Sequence, residues 1–180
     1  MEPAPVPPAP QKAGCMVGLF WIDAENVHLG TPGATATSEV LLAPDTLRVT
    51  GATAGEWPWS EVTALKVLGA PARSAALRWA GRAATVAAAA LDLWVPASPE
   101  EMTVLIGTRG GADVEVLVQS GAASAYTRRE VDLSHELLSR FVAGASSPAA
   151  LSRWWEVRSE TALLRSRERE AVLEEWLAEP

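Results

Sequence analysis

Short runs of apolar and polar residues predict β-strands along much of the chain up to residue 119. The run at residues 17–23 is almost entirely apolar and predicts a buried first strand, and the Gly, Thr, Pro and Ala residues at 27–37 predict a loop after it. Two apolar runs flank Pro44 and Asp45. They predict a hairpin, because proline suits the second position of a type I turn.

Further strands are predicted beyond this hairpin. Residues 62–68 follow Pro58, which cannot donate a hydrogen bond to a sheet and therefore marks the start of the strand. Residues 102–118 predict a second hairpin, because Val, Met and Ile alternate along both arms and a glycine pair lies between them. Residues 74–81 are one more strand candidate, whereas the alanine-rich residues 83–95 fit a helix and a strand equally well.

The period of the pattern changes to that of a helix near the C-terminus. Residues 133–142 place Leu, Phe and Val at helical spacing, with Asp132 or Ser134 as the N-cap and Gly144 as the glycine that ends the helix. After a short break, residues 148–178 predict one further long helix that begins at a proline. The sequence thus predicts an α+β fold.

Many short strands followed by one amphipathic helix resemble the bacterial PH-like, GRAM-like domains. The resemblance covers about residues 17–143 and rests on the stretches LLAPDTLRVTG, WPWSEVTALKV and VDLSHELLSRFV. It implies a PH-like split β-barrel that is closed by the C-terminal amphipathic helix, and a binding module rather than an enzyme. The loop at 24–37, which corresponds to the family's basic lipid-binding loop, contains neither Lys nor Arg, so phosphoinositide binding is not implied.

The chain is thereby divided into a disordered proline-rich tail at 1–15, a PH-like barrel domain at 16–144 and a helical extension at 145–180. Two tryptophans, Trp57 and Trp59, precede the strand at the middle of the barrel. We interpret them as the cap of one barrel end. In the alternative interpretation they line the cavity of a small-ligand-binding barrel.

Charge and cysteine content limit the classes of partner. The net charge of −7 disfavours nucleic acid and anionic lipid, because binding to either needs a basic surface. The sequence has neither an apolar run long enough to span a membrane nor a signal-peptide pattern, so we expect a cytoplasmic protein without membrane insertion. With one cysteine, Cys15, the chain cannot form an internal disulfide or a thiol-rich metal site.

Candidate catalytic groups are few and dispersed. His28 and His135 belong to different predicted elements, and Cys15 is assigned to the tail, so no acid–base or nucleophilic pair is predicted. Asp132 and His135 share a helical face, and we interpret them as a cap and a surface histidine. No acidic or histidine cluster has the spacing of a zinc or calcium site. We therefore expect no enzymatic activity, no cofactor and no metal.

The predicted last helix carries the most informative surface. A helical wheel gathers its tryptophans and arginines on one face and its glutamates on the other. Tryptophan and arginine are the residue types enriched at binding hot spots. The sequence therefore predicts a partner-binding face, which consists of Trp154, Trp155, Arg158, Arg165, Arg169 and Trp176.

Three interpretations of this face remain open. The helix folds back on its own domain with its arginines paired to acidic groups, two copies associate as a homodimer, or the face binds a different protein. Together with the resemblance to PH-like domains, the tryptophan and arginine side chains of this face predict a non-catalytic protein-interaction or scaffolding module.

Overall fold

The computed structural model describes residues 14–32, 38–72, 101–121, 126–158 and 163–179. The strand candidate at 74–81 and the ambiguous segment at 83–95 lie outside these residues, as do residues 1–13 of the predicted tail. The described parts form an α+β fold, as predicted. Its strands are β1 Cys15–Val17, β2 Phe20–Ile22, β3 Val27–Leu29, β4 Ser38–Leu42, β5 Thr46–Gly51, β6 Gly55–Pro58, β7 Val62–Leu68, β8 Glu101–Thr108 and β9 Val114–Gln119, and its helices are α1 Arg128–Ala143, α2 Ala149–Glu156 and α3 Ser166–Ala178.

The strands form two antiparallel sheets. Strands β1 to β6 pair in chain order in a six-stranded sheet, and β7 to β9 form a three-stranded sheet. A single turn of 3₁₀-helix at Trp59–Glu61 leads from the first sheet into the second. Buried apolar side chains from both sheets and all three helices form one core. Within the described residues the two sheets do not close into a barrel.

Both predicted hairpins are confirmed. Strands β4 and β5 pair Leu42 with Leu47 across the turn that contains Pro44 and Asp45. Strands β8 and β9 pair Met102 with Val118 and extend to the glycine-containing turn. In each hairpin the apolar side chains that alternate in the sequence are buried, except for the half-buried Val114 at the start of β9, because successive residues of a strand point to opposite faces.

The N-terminal region differs from the single strand predicted at residues 17–23. Gly18 has a φ of 56°, a left-handed conformation that divides this run into β1 and β2. Strand β3 lies inside the predicted loop, because its three residues are too few to show a period. Cys15, assigned to the tail from sequence, lies in β1 and is buried.

Strand β7 contains an irregularity that changes which side chains face the core. The pairing register with β8 shifts between Val62 and Ala64. Such a bulge offsets the alternation of side chains by one residue. Val62, Leu65 and Val67 are therefore buried, whereas Thr63, two residues before Leu65, is exposed.

Helix α1 begins earlier than predicted. The hydroxyl of Thr127 accepts a hydrogen bond from the Glu130 amide at 3.0 Å, and the Glu130 carboxylate accepts one from the Thr127 amide at 2.7 Å. This capping box fixes the first turn, so Asp132 and Ser134 lie within the helix instead of capping it. Gly144, with a φ of 69°, ends the helix as predicted.

The single long helix predicted for residues 148–178 is wrong, because α2 ends at Glu156 and α3 begins at Ser166. In one straight helix Trp154 and Trp176 would lie about 33 Å apart. Their ring centroids are instead 5.4 Å apart. The chain reverses because the tryptophans of both segments pack at one place, so burial overrides the helical pattern.

Candidate functional site

The predicted partner-binding face is divided by this reversal. The side chains of Trp155, Arg169 and Trp176 are buried, and Trp176 packs edge-on against Phe20 with ring centroids 6.4 Å apart. These three residues face the chain's own core.

The other half of the face lies at the surface. Trp154 is half-buried against Trp176, and the guanidinium of Arg158 lies 4.9 Å from the centre of a Trp154 ring. Such stacking is a cation–π contact. Arg165 is exposed at the start of α3. The six residues therefore do not form one continuous surface.

Arg169 joins the N-terminal ends of α1 and α3. Its Nε donates to the fully buried carboxylate of Glu130, its Nη1 donates to the Leu164 carbonyl at 2.8 Å, and its Nη2 donates to Ser166 Oγ at 3.1 Å. The hydroxyl of Thr127 donates to Glu170 at 2.5 Å beside it. One of the predicted interface arginines is thus a buried structural group.

Trp57 and Trp59 belong to the junction between the two sheets. The Trp59 indole N–H donates to the carbonyl of Ala43 at 2.9 Å, and its ring centroid lies 6.0 Å from that of Phe141. Trp57 is half-buried and lies directly over Gly55, where a Cβ atom would overlap its ring. Both rings pack against the core.

The candidate catalytic residues occupy separate elements. His28 is buried in β3 and lies 3.5 Å from the Asp23 carboxylate, whereas His135 is on α1. Burial raises the pKa of the Cys15 thiol, although Arg158 nearby acts in the opposite direction. Across the described residues, no three His, Cys, Asp or Glu side chains come together as metal ligands. The same residues include no helix with the length and apolar character needed to cross a membrane.

A groove lies between β7 and α1. Its volume is about 510 Å³, within the size range of ligand sites. Neither Trp57 nor Trp59 contributes to its walls. The groove is lined by Thr63, Ala64, Leu65, Lys66, Val67 and Leu68 of β7 and by His135, Ser139, Val142 and Ala143 of α1.

One wall of this groove is the edge of a sheet. Among the described strands, β7 pairs with β8 alone. The Val67 amide lies 3.2 Å from His135 Nε2, and the Val67 carbonyl oxygen lies 3.0 Å from the same nitrogen. The backbone groups of Val67 therefore point away from β8, and by alternation those of Leu65 point to the same edge.

The groove also differs in charge from the rest of the chain. Lys66 is the single permanently charged residue among its lining side chains, in a protein of net charge −7. The residue pattern of β7 does not reveal this site, because it does not mark β7 as an edge strand. The spacing of His135, Ser139 and Val142 on one helical face was the available signal.

The site is defined by three physical features: a strand edge that no other described strand pairs with, largely apolar walls and one cation. These features come from elements distant in sequence, since β7 ends at Leu68 and α1 begins at Arg128.

Comparisons with protein-family models, with curated proteins and with solved structures give no match for this chain.

Proposed function

We propose that this chain is a PH-like, non-catalytic protein-interaction module that binds an extended segment of another protein along β7. The observation that carries the proposal is the groove of about 510 Å³ beside the edge of the three-stranded sheet. Two antiparallel sheets followed by α1, which packs along β7, support the PH-like assignment.

Strand addition uses the hydrogen-bonding groups of a sheet edge. An added strand gains affinity from main-chain hydrogen bonds and specificity from pockets for alternate side chains. Strand β7 runs over seven residues, and a strand of that length extends about 20 Å. A partner segment of about five to seven residues would therefore pair with it.

The walls determine the chemistry of the partner segment. Leu65, Val67 and Val142 favour apolar side chains on the face directed into the groove. Lys66 favours a carboxylate opposite it on the other face, since oppositely charged cross-strand pairs contribute about 0.2–1 kcal/mol. The proposed ligand is thus an extended, apolar segment with one Asp or Glu.

Selection from a displayed library of random peptides of about 8 residues tests the proposal with the full-length chain. Selected peptides should be apolar with an acidic residue. In ¹⁵N-labelled protein they should shift the amide resonances of Leu65 and Val67 most. Ser139→Trp fills the groove from the α1 side and should abolish binding, whereas Asp132→Trp, exposed on α1 but outside the groove, should not.

Other outcomes would contradict the proposal. If no peptide is selected, or if Ser139→Trp leaves the affinity unchanged, β7 is not the binding edge. Shifts centred on Trp154 and Arg158 would place the binding surface at the exposed half of the tryptophan–arginine face. A dimer that Ser139→Trp dissociates would identify a second copy of the chain as the occupant.

A further inference from the structure

His135 occupies the place on the β7 edge where the backbone of an added strand would lie. Its Nε2 is within hydrogen-bond distance of both the amide and the carbonyl oxygen of Val67. We infer that His135 is an internal competitor for this edge, which a binding strand must displace. The inference rests on the proposed strand addition and names the residue that regulates it.

A single imidazole nitrogen cannot satisfy both backbone groups of Val67 at once. A protonated Nε2 donates to the carbonyl oxygen and leaves the amide without an acceptor, whereas an unprotonated Nε2 accepts from the amide and leaves the carbonyl without a donor. A residue of an antiparallel partner strand exchanges both hydrogen bonds with the residue opposite. The partner strand therefore gains one hydrogen bond that His135 does not supply.

The same contact protects the free protein. Unpaired strand edges are templates for pairing with other chains, and natural proteins cover them. His135 covers Val67 from the neighbouring helix, whereas the alternation of backbone groups leaves Leu65 facing the groove. A competitor held by one hydrogen bond at a time covers the edge and can still be displaced.

Two substitutions change the competition in opposite directions. His135→Ala removes the competitor, and we expect peptides selected on the wild type to bind about fivefold tighter, the equivalent of one net hydrogen bond. His135→Gln provides a donor and an acceptor on one side chain, so both Val67 groups can be satisfied internally. We expect that variant to bind the same peptides about fivefold more weakly than the wild type.

A measurement on the free protein examines the contact without any peptide. Amide hydrogen exchange at Val67 should be about fivefold faster in His135→Ala than in the wild type. Exchange at Lys66, whose amide points towards β8, should stay the same and report any general loss of stability. The variant should also self-associate at lower concentration, because its edge is uncovered.

The outcomes separate the inference from the proposed function. If peptides bind, Ser139→Trp blocks them and the two His135 variants match the wild type in affinity, the inference is overturned and strand addition stands. Unchanged exchange at Val67 in His135→Ala overturns the inference as well. If no peptide binds to any variant, both the proposed function and the inference fail.

Discussion

The buried ion pair between Arg169 and Glu130 allows a quantitative test of how the C-terminal segment is held. Glu130 is fully buried and Arg169 is 7% exposed. Replacing Arg169 by Met preserves much of the side-chain volume but leaves the Glu130 carboxylate buried without its cation. Removing one partner of a buried pair costs about 3–5 kcal/mol. That is a large share of the roughly 5–15 kcal/mol by which natural domains are stable.

The double variant Arg169→Met with Glu130→Gln separates lost packing from uncompensated charge. Gln still closes the capping box with Thr127, because that motif accepts Glu or Gln. Replacing a whole buried pair is often nearly neutral, so we expect the double variant to recover at least about 2 kcal/mol of the loss. Arg167→Met, exposed on the same helix, is the matched control and should change stability by less than about 0.5 kcal/mol.

Urea unfolding followed by tryptophan fluorescence measures these free energies, since eight tryptophans are distributed along the chain. The slopes of the transitions should be equal among variants, so that differences in midpoint report stability. A loss below about 1 kcal/mol for Arg169→Met would refute the buried pair. Such a result would mean that Arg169 lies at the surface, as the sequence pattern alone predicted.

Three further predictions concern single residues. Because burial raises the pKa of Tyr126 above its ordinary 10.0, the folded state keeps the phenol proton longer than the unfolded state. Stability should therefore fall as the pH rises above about 10, and in urea titrations Tyr126→Phe should reduce that slope. The Cys15 thiol, buried and with a raised pKa, should react with a thiol reagent at least about tenfold more slowly than in urea. Gly18→Ala should lower the free energy of unfolding by about 3 kcal/mol, because Gly18 has a positive φ and an added Cβ would overlap Ser134 Oγ. Gly144→Ala should lower it by about 1 kcal/mol, because Gly144 also has a positive φ but open space around it. Urea unfolding measures both changes.

Local structure could be predicted where the sequence signal is local. The β4–β5 hairpin follows from a proline turn between two apolar runs, and the C-terminal end of α1 follows from Gly144. Thr127 and Glu130 have the spacing of a capping box, which also indicates the start of α1. The regular spacing of the leucines instead favoured a start at Asp132.

The candidate site depends on information that the sequence holds only indirectly. Whether β7 is an edge or a central strand is decided by which strands pair, and not by its own residues. The reversal before α3 likewise follows from where Trp154 and Trp176 meet, although residues 148–178 read as one amphipathic helix. The sequence therefore indicates β7 as a strand and most of residues 148–178 as helical, but it does not indicate which parts of the fold these segments contact.

The contact between Phe20 and Trp176 has a consequence for how the protein is made. It joins β2 to α3, which lie far apart in the sequence, so the core cannot be completed until α3 has left the ribosome. Until then β1 and β2 expose apolar surface that α3 later covers. Contacts of such long sequence separation slow folding, and newly made chains would depend on chaperones for longer than chains whose cores close early.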